Sequence, residues 1–300
     1  MSHATSHVTA EIASQPECWS RARELKPEGL PEPGERVAVL GCGTSLYIAQ
    51  AYASLREEAG HGETDAFAAS AFPDTRRYDR VLAITRSGTT TEVLAALTRT
   101  RAARSDARAA TTAITGDLAT PVTSAADTVV DLSFADEKSV VQTRFATTTL
   151  ALLRHHLGLS PAELPAQART AVLAELPEAA LAAEQFTFLG TGWTVGLAHE
   201  AALKLREAAG RWTESYPAME YRHGPISISA PGRVVWFFGP PPTGLPEQIR
   251  ATGATIVTSD LDPQADLVRA QRLAVALAER CGLDPDQPRN LTRSIILDQP

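Results

Sequence analysis

Residues 36–45 read RVAVLGCGTS, and this stretch decides the fold. An apolar run rich in valine, 36–40, meets Gly41-Cys42-Gly43 and then two hydroxyl residues, Thr44 and Ser45. Residues 46–59 contain neither proline nor glycine. Valine favours strands, glycine permits tight turns, and the unbroken run favours a helix, so the segment reads strand, turn, helix. The same order follows at 80–85 (RVLAIT), the turn 86–89 (RSGT) and a helix over 90–104. Further strands are expected at 110–115, ended by Gly116-Asp117, and at 128–132, with a helix over 144–157. Strands alternating with helices imply a parallel, doubly wound sheet.

After a linker at 158–165 the pattern restarts. Residues 185–189 (QFTFL) read as a strand, 190–194 (GTGWT) as a turn and 195–209 as a helix. The two Gly-x-Gly turns stand 149 residues apart and agree in the type and order of their flanking elements. Such agreement indicates two copies of one fold. The expected division is a first domain over 1–160 and a second over 161–300. The first opens with a helix at 9–25 that Pro27, Pro31 and Pro33 end. The second adds strands at 233–238 and 255–258, a helix at 266–280, and a polar irregular tail from Asp284.

Composition excludes several classes. The chain has 300 residues, 44% hydrophobic and 21% charged, as in ordinary globular proteins. No apolar run reaches the ~18 residues of a membrane span. The first ten residues are polar and lack an apolar signal core, so a cytoplasmic protein is expected. Cys18, Cys42 and Cys281 are far apart, without metal-ligand spacing, and no metal or cofactor is expected. The net charge of −7, with no basic run, argues against nucleic acid. A small phosphate remains open, because one helix N-terminus and a few hydroxyls can hold it whatever the net charge.

Neither Gly-x-Gly turn is a dinucleotide fingerprint, since its third glycine would fall at Leu46 or Val195. The turn 85–92 (TRSGTTTE) is more informative: five hydroxyls and a glycine stand where a strand ends and a helix begins. Free backbone N–H groups there, with the hydroxyls, suit an anion such as phosphate. The plainer reading is a capping box between Thr89 and Glu92, which explains two residues of the cluster.

The helix 196–209 (GLAHEAALKLREAA) is mostly Ala and Leu, yet Glu200, Lys204 and Glu207 form one stripe about 60° wide. A charged stripe on an apolar helix either lies on a solvated face or lines a polar cavity. Downstream, His223 stands in Arg222-His223-Gly224-Pro225, which must be a turn or loop. His155, His156 and His199 read as structural.

These stretches resemble the sugar-isomerase (SIS) family. The turns 41–45 and 86–90 and the segment 137–144 (EKSVVQTR) are similar to those of tandem SIS domains. Residues 200–207 (EAALKLRE), the loop 222–225 and residues 286–294 (DQPRNLTRS) resemble the isomerase half of glucosamine-6-phosphate synthase. Residues 11–19 (EIASQPECW) resemble the start of stand-alone members such as amino-sugar-phosphate deaminases and deglycases. The resemblance implies an α/β protein of two flavodoxin-like domains, with parallel sheets flanked by helices, and a homodimer with a shared site. It implies that Cys42, Thr44, Ser45, Thr85, Ser87 and Thr90 hold a sugar phosphate, strengthened by Arg86, and that Val140 and Gln142 line the sugar. Glu207 would move the proton between C1 and C2, His223 would open the ring, and Lys204 and Glu200 would complete the cavity.

Two departures shape the expectation. The chain begins about 35 residues before its first strand, without a glutaminase domain, so it is not expected to take ammonia from glutamine. Arg293 stands where the synthase carries an imine-forming lysine, and arginine stays protonated; Arg293 is expected to stabilise charge or orient substrate. Deamination needs no such lysine, because the substrate brings its own nitrogen. The expected activity is an amino-sugar-phosphate deaminase/isomerase, converting glucosamine 6-phosphate or a phosphorylated fructosamine to hexose phosphate plus ammonia or amine. The alternatives are a plain aldose–ketose phosphate isomerase or a non-catalytic sugar-phosphate sensor.

Overall fold

The computed structural model describes residues 6–73, 75–103 and 108–297. Its strands are β1 (Val37–Gly41), β2 (Thr64–Ala68), β3 (Arg80–Thr85), β4 (Ala110–Thr115), β5 (Thr128–Asp131), β6 (Gln185–Gly190), β7 (Trp212–Pro217), β8 (Arg233–Phe238) and β9 (Thr255–Val257). Helices α1 (His7–Ala13), α2 (Gln15–Ala22), α3 (Thr44–Glu58), α4 (Thr91–Ala102), α5 (Val122–Ala125) and α6 (Arg144–His156) precede the second sheet. They are followed by α7 (Leu164–Leu173), α8 (Glu178–Ala182), α9 (Thr194–Ala209), α10 (Leu245–Ala251) and α11 (Pro263–Arg280).

Two wholly parallel sheets result, in the orders β2-β1-β3-β4-β5 and β7-β6-β8-β9. Taken as first, second, third and fourth strand of its own set, each sheet has the order 2-1-3-4. The Gly-x-Gly turns repeat in atomic detail. A Cβ on Gly41 would lie 2.4 Å from the Ser45 backbone, and one on Gly190 would lie 2.3 Å from the Thr194 backbone. Gly43 and Gly192 both have φ of +55°. Only glycine lets the strand end come this close to the first turn of its helix.

The loops after the third strands differ. After β3 comes RSGTT (86–90), rich in donors, and after β8 comes GPPPTG (239–244), whose prolines have no N–H to give.

The residues group into two compact units. One comprises 17–137, 144–160 and 292–300; the other comprises 1–16, 138–143 and 161–291. The units interleave along the chain, where the sequence reading drew one boundary at 160. In the first unit Leu40, Val81, Ala83 and Leu97 belong to one buried apolar cluster. In the second, Leu189, Tyr221, Phe237 and Leu245 form another. Trp236 of β8 donates its indole N–H to Asp266 of α11 at 2.7 Å, satisfying a buried carboxylate that desolvation pushes upward in pKa.

Three local expectations change. The leading helix is two helices, α1 and α2, because Pro16 has no N–H with which to carry the ladder past Ser14. The linker is shorter than expected, since α7 begins at Leu164. Strands β2 (TDAFA) and β7 (WTESYP) are additional; each is an edge strand, only partly buried, and its polar residues hide the apolar signal. The expected helix end at Arg104 lies outside the described residues.

Candidate functional site

The first unit supplies a hydroxyl-rich loop. Strand β3 ends at Thr85, which is 4% exposed, and its buried Oγ1 has no hydrogen-bond partner among the described residues. Ser87 Oγ accepts the Thr89 N–H at 3.3 Å and lies 3.1 Å from Thr89 Oγ1. Gly88 has φ of +63°, and a Cβ there would lie 2.0 Å from Thr120 Oγ1, so the turn needs glycine twice over. The N-cap of α4 is Thr90, whose side chain makes no capping hydrogen bond. The capping-box reading of Thr89 and Glu92 therefore does not account for the cluster.

Thr44 and Ser45 are buried at the N-terminus of α3. Cys42 is half-buried beside them; burial, then the charge of Glu92, pushes its thiol pKa up, so it lines the turn as a neutral group. Arg86 is tied to the chain around it. It is 2% exposed, its Nη1 lies 3.6 Å from Glu137 Oε2, and its Nη2 donates to the Arg293 carbonyl at 3.0 Å. Glu137 Oε1 accepts the N–H of Arg144 at 2.8 Å, the first residue of α6. Arg86 thus braces the segment that starts α6 as well as the loop. Arg293 is also engaged: its Nη2 reaches both oxygens of Asp136 at 2.7 and 2.9 Å, and its Nη1 donates to the Glu137 carbonyl.

The second unit supplies the charged stripe, and it is not a solvated face. Glu200 is 0% exposed and Lys204 1%. Lys204 Nζ lies 2.5 Å from Glu207 Oε2 and 3.5 Å from Glu200 Oε1. Two carboxyl groups thus flank one amine on an otherwise Ala- and Leu-rich helix. Glu207 is the outermost member, with its side chain 19% exposed. It borders a cavity of about 480 Å³ lined also by Arg206, Gly282, Gln287, Arg289 and Asn290. Lys204 thus joins the buried Glu200 to the more exposed Glu207.

The loop carrying Val140 and Gln142 is built by two acidic residues. Glu11 of α1, buried at 4%, accepts the Lys138 N–H at 2.6 Å and the Ser139 hydroxyl at 2.5 Å. Asp286 accepts the N–H groups of His7 and Val8 at 2.7 Å each, and its carbonyl accepts the Val140 N–H at 3.2 Å. The buried Oε1 of Gln142 has no hydrogen-bond partner among the described residues. Sequence reasoning assigned Asp286 no part; an acid two residues after Asp284 in a polar tail carries no local signal of a distant helix N-terminus. His223 ends a short 3-10 turn, is exposed, and its ring makes no hydrogen bond among the described residues.

No group of three or more His, Cys, Asp or Glu among the described residues could hold a metal ion, and none of the described helices is long and apolar enough to cross a membrane.

No family model matches the chain. It is 29% identical over 317 residues to glutamine–fructose-6-phosphate aminotransferase (isomerizing) of Gloeobacter violaceus, an alignment covering 88% of this chain and 52% of that protein. The chain thus spans about half the length of the curated relatives it matches. Its fold is shared with a glucosamine-6-phosphate deaminase of Thermotoga maritima, at TM-score 0.80 and 22% identity, covering 97% of this chain and 100% of that one. It is shared equally with the C-terminal domain of glucosamine-fructose-6-phosphate aminotransferase of Francisella tularensis, at TM-score 0.82 and 20% identity, covering 96% and 100%.

Proposed function

We propose that the chain is a sugar-isomerase-type enzyme that deaminates or isomerises a phosphorylated amino sugar by proton transfer between C1 and C2. The observation that carries this reading is the buried Glu200–Lys204–Glu207 cluster, whose outermost carboxylate opens on a cavity. Burying three charges is costly, and a fold keeps such a group where its chemistry is used. A phosphate sensor would need the loop of the first unit but no carboxylate poised for proton transfer. The relatives and fold neighbours named above include an isomerizing aminotransferase of fructose 6-phosphate and a glucosamine-6-phosphate deaminase, which supports the reading.

The reaction balances without a cofactor. The hydroxyls of Ser87, Thr89 and Thr90 and the N–H groups at the start of α4 suit the phosphate ester. His223 moves the proton that opens the ring. The carboxylate of Glu207 removes the C2 proton of the open-chain 2-amino aldose, giving an enaminol, and returns it to C1. The product is a ketose imine at C2; water adds to it, and ammonia leaves. Lys204, hydrogen-bonded to Glu207 Oε2, aims its carboxylate. Arg293, engaged with Asp136, acts in the tail and forms no imine.

The test is incubation of the purified protein with glucosamine 6-phosphate while ammonia and fructose 6-phosphate are followed together. Equal catalytic release of both is expected. Fructose 6-phosphate binding without turnover of any hexose phosphate would replace the enzyme by a sensor.

A further inference from the structure

The hydroxyl loop is already occupied by the chain's own tail. Ser294 Oγ lies 3.0 Å from Thr89 Oγ1, 3.1 Å from Ser87 Oγ and 3.4 Å from Thr90 Oγ1. The next residues take the start of α4: the Ile295 carbonyl accepts the Thr91 N–H at 3.2 Å, and the Leu297 N–H donates to Thr91 Oγ1 at 2.9 Å. One residue earlier, Arg293 is clamped to Asp136 and its carbonyl accepts from Arg86.

A phosphate oxygen bound by these three hydroxyls would sit within hydrogen-bond distance of all of them, about 2.5–3.0 Å. Ser294 Oγ holds that position, and two oxygens cannot share it. We propose that residues 292–297 are an internal competitor for the loop, with Ser294 standing in for a phosphate oxygen, and that a phosphorylated ligand binds by evicting them. The proposal rests on the reading of the loop as a phosphate site.

The strength of the clamp suits a competitor that can be displaced. Arg293 and Asp136 have side chains 35% and 32% exposed, and ion pairs that face solvent contribute about 0.2–1 kcal/mol. The Ser294 contacts are between neutral hydroxyls. A phosphate dianion would replace them with charge-assisted bonds, roughly twice as strong. The tail can therefore exclude water and weak ligands from the loop, yet yield to a phosphate ester.

The experiment titrates inorganic phosphate, against potassium chloride at matched ionic strength, into the full chain and its Ser294→Gly and Asp136→Asn variants by calorimetry. In parallel, trypsin cleavage after Arg293 is followed by mass spectrometry of the released 294–300 peptide. Ser294→Gly should bind phosphate about 5- to 10-fold more tightly, the effect of losing roughly one hydrogen bond from the competing state, and Asp136→Asn about 2- to 5-fold, the effect of losing a partly exposed ion pair. Phosphate should speed cleavage after Arg293 in the parent chain. Equal affinity in all three proteins, or protection of Arg293 by phosphate, would overturn the eviction proposal alone. Absence of phosphate binding in all three would overturn the reading of the loop together with it.

Discussion

Lys204 Nζ stands 2.5 Å from Glu207 Oε2, with the lysine 1% exposed and the carboxylate at the mouth of a cavity. The ammonium compensates the carboxylate without covering it. Glu207→Gln keeps the shape and removes the base. It should lower kcat on an amino-sugar phosphate by about 10²- to 10⁴-fold with the thermal midpoint little changed. A variant with unaltered kcat would remove Glu207 from the proton transfer.

Lys204→Ala should act on the fold rather than on chemistry alone. It leaves Glu200, fully buried, without the cation 3.5 Å away. Breaking a buried ion pair from one side costs about 3–5 kcal/mol, readable as a lower urea midpoint. The double variant Glu200→Gln/Lys204→Met should recover most of that loss, because both charges are gone.

His223 is exposed and has no hydrogen bond to its own chain among the described residues, so His223→Ala should leave stability unchanged. Turnover of the ring form should fall more than that of an open-chain analogue. Equal losses on both would end the ring-opening role.

Asp286→Ala removes a carboxylate that accepts two backbone N–H groups at the start of α1. Loss of such a cap costs about 0.5–2 kcal/mol. Because the Asp286 carbonyl also takes the Val140 N–H, hydrogen exchange at Val140 should quicken in step with that at His7 and Val8. Exchange that changes at α1 alone would separate the two roles.

His199 gives a pH signature. Burial, and secondarily Arg206, lower its pKa from the ordinary 6.5, while Nδ1 lies 2.8 Å from Ser215 Oγ. The folded chain therefore gives up this proton more readily than the unfolded chain does. Stability is unaffected well above 6.5 and falls as pH drops from there toward the folded value. Between pH 7.5 and 5 the parent should lose thermal stability relative to His199→Gln; parallel pH curves would refute the assignment.

Most of the fold was legible because its central strands are short apolar runs closed by glycine turns. Strands β3, β4 and β8 coincide with the runs 80–85, 110–115 and 233–238. The edge strands β2 and β7 were not legible, since one side of each is unpaired and their residues need not be apolar. The charged stripe on α9 was visible as a pattern, but only burial shows that it is no solvated face. For Arg86, residue type suggested an anion ligand, and the ion pair with Glu137 was not visible in the sequence, because the two stand about 50 residues apart. The tail was legible only through its resemblance; the contacts of Arg293, Ser294 and Asp286 were not, because their partners stand more than 140 residues away.

The two glycine turns, alike in φ and in the approach of strand to helix, have been put to different use. In the second, Thr194 Oγ1 is spent on the Thr191 N–H and the Phe238 carbonyl, and the following strand ends in prolines rather than hydroxyls. Helix α9 carries an acidic residue, Glu200, in mid-helix, whereas α3 carries none before its last turn. One backbone turn is thus compatible with two unlike helices, one without acids before its last turn and one with a buried charged stripe.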